Sequence, residues 1–327
     1  MGQAEDHRFL NAAAQYGLRG RPQSRPNPAV GAVIVANGVV VGRGFTQAGG
    51  RPHAEAVALA QAGPQAQGGT LYVTLEPCAH TSPRGVSCAE SIATSGLARV
   101  VIGCMDPDPR TAGAGLARIR DAGIAAEFLS CAAARASLIG YLTMRQLGRP
   151  YVTLKMAVSL DGCIAMADGT SRWITGDVAR AHTHMVRAMS EAILVGGGTM
   201  RTDNPRLDVR LAGLEGQSPT PYVLSRSPTP AGWHSITAPN DIHAMRDVQY
   251  LLVEGGAQTA AAFLAANLVD RLLIYRAPII IGGGLPSIAD LGLKNLADAH
   301  GIWQHTDHRP LGPDTLDIFE RVPCSPE

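Results

Sequence analysis

The sequence predicts a two-domain α/β protein, and three observations carry that expectation. Runs of aliphatic and β-branched residues alternate with Ala-rich helical segments, an order that implies layered α/β architecture with largely parallel strand pairing. The alternation stops at Leu147-Gly148-Arg149-Pro150 and restarts with a new apolar strand, dividing the chain into 1–147 and 148–327. At 327 residues each part is long enough to bury its own core.

The elements follow in order. Segments 29–35 and 39–43 read as a hairpin turning at Asn37-Gly38, a dipeptide suited to the left-handed positions of a tight turn. A helix is expected to start near His53, run through 54–61 and stop at Gly63-Pro64. A buried strand at 70–75 precedes a helix from Cys88 to about Ser95, closed by Gly96. Then come a strand at 99–103, a helix at 115–122 and a strand at 123–128. The second part offers strands at 151–157, 192–195, 222–224, 250–253 and 271–275, with a turn at Asp161-Gly162. Stretches 213–221 and 227–240, dense in Pro, Gly, Ser and Thr, read as loops. Gly282-Gly283-Gly284 reads as a flexible loop.

Composition narrows the function classes. A net charge of +1 without Lys/Arg runs argues against nucleic-acid partners, while single arginines remain able to hold one phosphate. The start of the chain lacks a basic segment leading into an apolar run, and no stretch is long and apolar enough to span a bilayer. Six irregularly spaced cysteines do not form a disulfide framework, so a reducing cytoplasm is the expected setting. Cys104, Cys131 and Cys163 read as buried filler and Cys324 as exposed.

The most informative chemistry lies in His53-Ala54-Glu55, Pro77-Cys78 and Cys88. One imidazole and two thiolates leave a fourth position of a Zn²⁺ ion open to water, and a Glu that is not a ligand can move protons beside it. This donor set belongs to zinc hydrolases of the nucleobase-deaminase kind and points to removal of an exocyclic amine from a pyrimidine-like ring. Glu55 is the candidate catalytic residue; His53, Cys78 and Cys88 are the candidate ligands. Taken singly, a His-x-Glu at a helix start is surface charge and a Pro-Cys pair is unremarkable; the order and placement of all of them together carry the reading. Nine residues separate the two cysteines, where the usual signature has two. Two rivals stay open at this point. One is a deaminase of tRNA or free cytidine, against which the lack of basic clusters counts. The other is a module with structural zinc, in which His80 would fill the fourth position.

Several motifs carry a resemblance: Pro26-Asn27-Pro28-Ala29-Val30-Gly31, Pro52-His53-Ala54-Glu55-Ala56, Thr74-Leu75-Glu76-Pro77-Cys78-Ala79-His80 and Asp106-Pro107-Asp108-Pro109. In these, and on through the second half, the chain resembles the bifunctional riboflavin-biosynthesis deaminase/reductase family. The resemblance implies a cytidine-deaminase-like three-layer domain followed by a dihydrofolate-reductase-like domain. It implies zinc-dependent deamination of 2,5-diamino-6-ribosylamino-4(3H)-pyrimidinone 5′-phosphate, then reduction of the ribosyl group to ribityl with NADPH. A phosphorylated pyrimidine is thus the expected small-molecule partner, and a homo-oligomer, dimer or tetramer, the expected assembly. Asn27 is expected to read the pyrimidine edge and Arg84 to hold substrate.

In the second half, the segment from Lys155 to Gly162 and the run Ser171-Arg172-Trp173-Ile174-Thr175 resemble the family's reductase motifs. The match implies cofactor contacts at Ala157, Trp173, Thr199 and Asp203, and substrate contacts at Ser171, Arg187, Leu207, Arg210 and Glu254, with Lys155 a further candidate. Arginine suits a ribose phosphate because its planar fork binds phosphate bidentately. Arg187 is expected on a helix and Arg210 after a short strand, converging on that phosphate; the bland alternative for each is a solvated surface residue. Asp203 is placed to hold a ribose hydroxyl and assist ring opening, or else caps a turn before Pro205. Glu254-Gly255-Gly256-Ala257-Gln258-Thr259 follows a strand and opens an Ala-rich helix, a natural diphosphate cradle that is not the Gly-x-Gly-x-x-Gly pattern. The chain departs from the family at three places: the 79–87 loop is one residue longer, Thr46 stands where many members have His, and Ser225-Arg226 replaces Asp-Ser. Arg226 beside Ser225 is placed to contact an adenosine 2′-phosphate.

Overall fold

The computed structural model describes residues 2–80 and 85–322, in two compact units, 1–148 and 149–327. The first unit runs α1 (Gln3–Gly17), β1 (Gly31–Ala36), β2 (Val39–Phe45), α2 (Ala54–Ala62), β3 (Thr70–Val73), α3 (Cys88–Ala93), β4 (Arg99–Ile102), α4 (Ala114–Asp121), β5 (Ala125–Phe128), α5 (Ala132–Ser137) and α6 (Ile139–Leu147). Its sheet has the order β2-β1-β3-β4-β5. Asn37 and Gly38 take φ of 51° and 76°, the two left-handed positions that let a two-residue turn follow strand twist.

Alternation along the strands builds three layers. Ala32, Ile34, Leu71, Val73, Val100 and Ile102 point to one face and pack with Ala54, Ala58, Ala89, Ile92 and Ile119 of α2, α3 and α4. Val33, Val35, Tyr72 and Val101 point to the other, where Phe9, Leu10 and Ala13 of α1 and Ala134 of α5 cover them. Pairing is parallel from β3 to β5, while β1 is antiparallel to β2, as the expected hairpin requires, and to β3. The two-residue turn dictates the β1–β2 pairing, because parallel strands need a crossover. Helix α1 went unread in the sequence, although its buried positions Phe9, Leu10, Ala13, Ala14 and Gly17 hold helical spacing. It is anchored where Arg99 meets Asp6 in a bidentate pair of 2.7 and 2.8 Å, with Tyr72 Oη donating to the same carboxylate at 2.8 Å.

The second unit runs β6 (Tyr151–Val158), β7 (Cys163–Ala165), α7 (Asp177–Ala188), β8 (Ala192–Gly196), α8 (Gly197–Asp203), β9 (Thr220–Leu224), β10 (His234–Ile236), β11 (Tyr250–Val253), α9 (Ala257–Ala265), β12 (Arg271–Arg276), β13 (Leu285–Pro286), β14 (Trp303–Leu311) and β15 (Asp314–Arg321). Its main sheet has the order β10-β9-β8-β11-β6-β12-β15-β14, parallel from β10 to β12 and antiparallel at β15 and β14. Phe263 and Ala260 of α9 pack on one face with Leu154, Leu194 and Val253. Ala179 of α7 and Met200 of α8 cover the other, over Leu273 and Tyr275 and over Ile193 and Val195 respectively. Strand β10 lies inside 227–240, read from sequence as loop; at three residues it is too short to show an alternation. The β14–β15 hairpin was also unread, because β14 is a polar edge strand (Gln304, His305, Thr306, Asp307, His308) without an apolar period. Gly282-Gly283-Gly284 is tethered rather than free: the Ile281 and Gly282 N–H groups donate to Asp161 at 3.1 and 2.8 Å. Among the described residues no helix is long and apolar enough to cross a membrane.

Helix α2 lies unusually close to β2. A Cβ added to Gly44 would stand 2.0 Å from the Ala54 carbonyl oxygen, so any side chain there must push the start of α2 away. Gly44→Ala is therefore expected to cost about 1–3 kcal/mol in denaturant unfolding of the first unit. Because α2 carries His53, the same variant is expected to purify with less than stoichiometric zinc, read by metal analysis.

Candidate active sites

The first site is assembled from three chain segments on one end of the three-layer unit. His53 is the extended residue that caps α2, with φ −71° and ψ 162°, and Glu55 lies in that helix's first turn. Cys78 follows Pro77 in the loop after β3, and Cys88 opens α3, whose cap Ser87 accepts from the Glu90 N–H at 3.2 Å. His53 Nδ1 lies 3.2 Å from Cys88 Sγ and 3.7 Å from Cys78 Sγ. Zn–S and Zn–N bonds of about 2.3 and 2.0–2.1 Å at the tetrahedral angle place N and S about 3.6 Å apart, so this donor set suits zinc. Among the described residues the group whose donor atoms here lie within 4.8 Å is His53, Cys78 and Cys88; His80 is outside it.

Electrostatics favour the same role. The Cys88 N–H donates to Cys78 Sγ at 3.3 Å. The Cys88 thiol and the His53 imidazole, in that order, are the side chains that pull the Cys78 pKa down to about 4, a thiolate ready to bind metal. Cys88 is pushed upward, first by the hydrogen bond of its own thiol with the Cys78 sulfur and then by burial. Glu55 is 3% exposed, and burial raises its pKa against the opposing pull of His53. A carboxyl group so displaced holds its proton to higher pH than a free carboxylate, as suits a proton carrier. A groove of about 310 Å³ lined by Arg51, Pro52, His53, Val86 and Cys88 opens on these ligands.

Around this centre, Asn27 Nδ2 donates to Gly50 O at 2.8 Å and lies 3.2 Å from His53 Nε2, against the back of the imidazole. Thr46 is buried, and its hydroxyl accepts from the Val30 N–H at 3.1 Å, a structural use that ties down the segment bearing Asn27. Arg84 and Cys324 lie outside the described residues. The sequence assigned no role to the acids in the Glu76 and Asp106 motifs, yet the structure does. Glu76 is buried and accepts from the Gly113 and Leu116 N–H groups at 3.0 and 3.1 Å, capping α4. Asp106 accepts from Tyr141 Oη at 2.8 Å. Only contacts between distant segments reveal this, so the sequence signal was limited to the clustering of acids with prolines. Cys104, Cys131 and Cys163 are buried.

The second site lies at the carboxyl ends of the parallel strands, where open α/β sheets bind ligands. Lys155 and Ala157 share one face of β6, and Glu254 follows β11. Arg187, from α7, binds Glu254 bidentately at 2.7 and 3.0 Å, with Lys155 Nζ 3.9 Å from the same carboxylate. Burial pushes Lys155 down; Glu254, which burial alone would raise, is held low by Arg187 and then Lys155. Arg210 follows no strand, contrary to the sequence expectation: among the described residues 204–210 are irregular, with Asn204 and Leu207 at φ 40° and 56° breaking any extension. Arg187 and Arg210 do converge, donating to the Asp208 carbonyl and carboxylate at 3.0 and 3.2 Å. The Leu207 side chain packs in the core with Ile193, Val195 and Met200, so only its main chain is available to a ligand.

Thr199, Ser225, Gly255, Gly256 and Thr259 come together where α8 and α9 begin. A Cβ on Gly197 would meet Ser225 Oγ at 3.0 Å, one on Gly255 the Thr259 side chain at 2.6 Å, and one on Gly256 Thr199 Oγ1 at 3.9 Å. No side chain caps α9, so the N–H groups of Ala257, Gln258 and Thr259 head an uncapped turn. Arg226 is exposed next to Ser225. Ser171 is half-buried and Trp173 exposed, with the Arg180 guanidinium 4.7 Å over its ring. Asp203 ends α8, and its carbonyl accepts from Arg172 at 3.3 Å, joining that loop to the helix. Two residues unread in the sequence adjoin Lys155: Tyr275, whose ring lies 5.6 Å from Nζ, and His182, whose Nδ1 is 2.7 Å from Tyr275 Oη.

Comparison with known proteins matches each unit to a known family. The family model described as the cytidine and deoxycytidylate deaminase zinc-binding region matches residues 3–104, and the RibD C-terminal domain matches 150–238 and 240–316. The riboflavin biosynthesis protein RibD of Aquifex aeolicus is 33% identical over 97% of this chain and 98% of its own, and that of Escherichia coli 36% identical over 95% and 98%. The chain belongs to the RibD family. Among solved structures, Acinetobacter baumannii RibD is 32% identical with a TM-score of 0.88, covering 98% of this chain and 100% of that one. The Thermotoga maritima diaminohydroxyphosphoribosylaminopyrimidine deaminase/5-amino-6-(5-phosphoribosylamino)uracil reductase is 28% identical with a TM-score of 0.87, covering 98% and 99%. As a RibD protein the chain is a bifunctional enzyme of riboflavin biosynthesis, a zinc-dependent deaminase joined to a reductase.

The buried Lys155–Glu254–Arg187 group gives a measurable consequence. Glu254→Ala leaves two cations facing each other under cover and is expected to destabilise the second unit by about 3–5 kcal/mol in chemical denaturation. The double variant Glu254→Ala/Arg187→Ala is expected to lose less than the sum of the two single losses.

Proposed function

We propose that the first unit deaminates 2,5-diamino-6-ribosylamino-4(3H)-pyrimidinone 5′-phosphate and that the second reduces the product's ribosyl group with NADPH. The observation that carries the first half is a buried Glu55 beside three donors spaced for zinc, with His53, Cys78 and Cys88 as the ligands. Zinc, when bound, supplies a water acidified toward neutral pH. Beside it, Glu55 would carry two protons of the attacking water in turn, the first to the ring nitrogen next to the amino-bearing carbon and the second, from the hydroxyl then bonded to that carbon, to the ammonia that leaves as the carbon–nitrogen bond breaks. Asn27 orients the pyrimidine and the His53 ring, and Arg84 holds the substrate's polar end.

In the second unit, NADPH supplies a hydride. The uncapped turn of α9 with Gly255, Gly256, Ala257, Gln258 and Thr259 holds its diphosphate, helped by Thr199 and Ser225. Ala157, Trp173 and Asp203 flank the nicotinamide half, and Arg226 meets the 2′-phosphate. Arg187, Arg210, Ser171 and the Leu207 main chain position the phosphorylated sugar, whose opened form presents C1′ as a carbon–nitrogen double bond. C1′ accepts the hydride while the nitrogen accepts a proton from Lys155, which burial predisposes to release it; Glu254 keeps Lys155 in place.

Glu55→Gln is expected to retain one zinc per chain and to lower ammonia release by about 10²–10⁴-fold, with reduction of the deaminated substrate unchanged. Ammonia release at the wild-type rate would remove Glu55 from the mechanism. Arg226→Ala is expected to raise KM for NADPH and leave that for NADH unchanged; equal effects on the two cofactors would sink the 2′-phosphate contact.

A further inference from the structure

On the edge hairpin of the second unit, β14 carries His305 and His308, three residues apart, which a regular strand would send to opposite faces. A bulge takes up one residue between them: His305 stands opposite Phe319, Asp307 opposite Ile318 and His308 opposite Asp317. Phe319 and Asp317 share a face of β15, so the bulge turns both imidazoles onto that face beside one carboxylate. His308 Nδ1 lies 2.8 Å and His305 Nε2 3.3 Å from the same oxygen, Asp317 Oδ1. Arg276 occupies the other side of the carboxylate, 3.5 Å from Oδ2, and leaves Oδ1 to the imidazoles. The His305 ring also packs 5.0 Å from Phe319, which limits its rotation.

Neighbouring donors about 2.0–2.2 Å from one ion stand about 2.8–3.6 Å apart in octahedral or tetrahedral geometry. The two separations on Asp317 Oδ1 match that range, and all three donor atoms lie within 4.8 Å of one another. Both imidazoles are about half exposed, at 48% and 52%, so water can complete the shell. Among the described residues this is the one group besides His53, Cys78 and Cys88 with such an arrangement.

We propose that His305, His308 and Asp317 form a second divalent-metal site, separate from the deaminase zinc. Two imidazole nitrogens and one carboxylate select borderline transition ions such as Ni²⁺, Cu²⁺ or Zn²⁺ over Mg²⁺ and Ca²⁺, which prefer oxygen donors. A bound ion links β14 to β15 at the free edge of the sheet.

The test uses the full-length chain without an affinity tag, zinc-loaded at the first site, freed of excess metal and titrated calorimetrically with Ni²⁺ in the presence of excess Mg²⁺. One further equivalent is expected to bind. His305→Ala and His308→Ala are each expected to weaken it by more than about tenfold, while the first zinc stays in place. A wild-type chain that takes up no further equivalent overturns the proposal, as does equally tight uptake in both variants. Since each replaced imidazole is half exposed, folding of the variants is checked simply by their unchanged zinc content and far-ultraviolet dichroism.

Discussion

Helix α2 rests on β2 with almost no side chain between the two backbones, and the deaminase chemistry depends on that contact. Gly44 and Gly42 lack the Cβ atoms that would otherwise strike the carbonyl oxygens of Ala54 and Ala58 at 2.0 and 2.3 Å. Ala54, Ala58 and Ala62 keep the helix face equally small. The start of α2 is thereby fixed to within the tolerance of close packing, and with it His53 as the capping residue and Glu55 one step inside. A ligand and a proton carrier on the same rigid turn retain a constant relation to each other.

The remaining ligands come from separate segments, and their protonation follows from the same geometry. Cys78 sits where the first N–H of α3 points at its sulfur, while Cys88 is itself the first residue of α3. The N-terminal end of a helix is electropositive, so the Cys78 sulfur facing it gains as a thiolate, while Cys88 holds its proton until a cation takes its place. Burial acts in the opposite sense on Glu55, favouring its protonated form. Cys78 and Glu55, neighbours in space, are thus displaced in opposite directions, one toward the thiolate and the other toward the protonated acid.

The second unit solves a different problem with the same economy of elements. Its parallel strands end together, so Lys155, the fifth residue of β6, Glu254 after β11 and Arg187 from α7 meet under cover. Glu254 lies between two cations that would repel each other without it, and Arg210 pairs with Asp208, whose carbonyl accepts from Arg187. Where α8 and α9 start side by side, glycines keep the backbone bare and leave amide groups for an anion.

Local chemistry was well marked in the chain. The Asn37-Gly38 turn, the stop of α2 at Gly63 and the glycine turn before α9 are decided by residues a few positions apart, and reading them requires no knowledge of the rest. The zinc donor set, too, is a matter of residue type and order. Contacts across long sequence separations were not marked: the Asp6–Arg99 anchor of α1, the capping of α4 by Glu76, the antiparallel pairing of β1 with β3 and the role of a bulge in turning His305 toward Asp317. The sequence by itself determined the helices and strands that have a clear apolar period or a turn residue at their ends, and which side chains can bind metal, because propensity, turn chemistry and donor type are local. Only the tertiary structure decided which side chains meet, since burial and close approach are properties of packed surfaces that no single segment possesses.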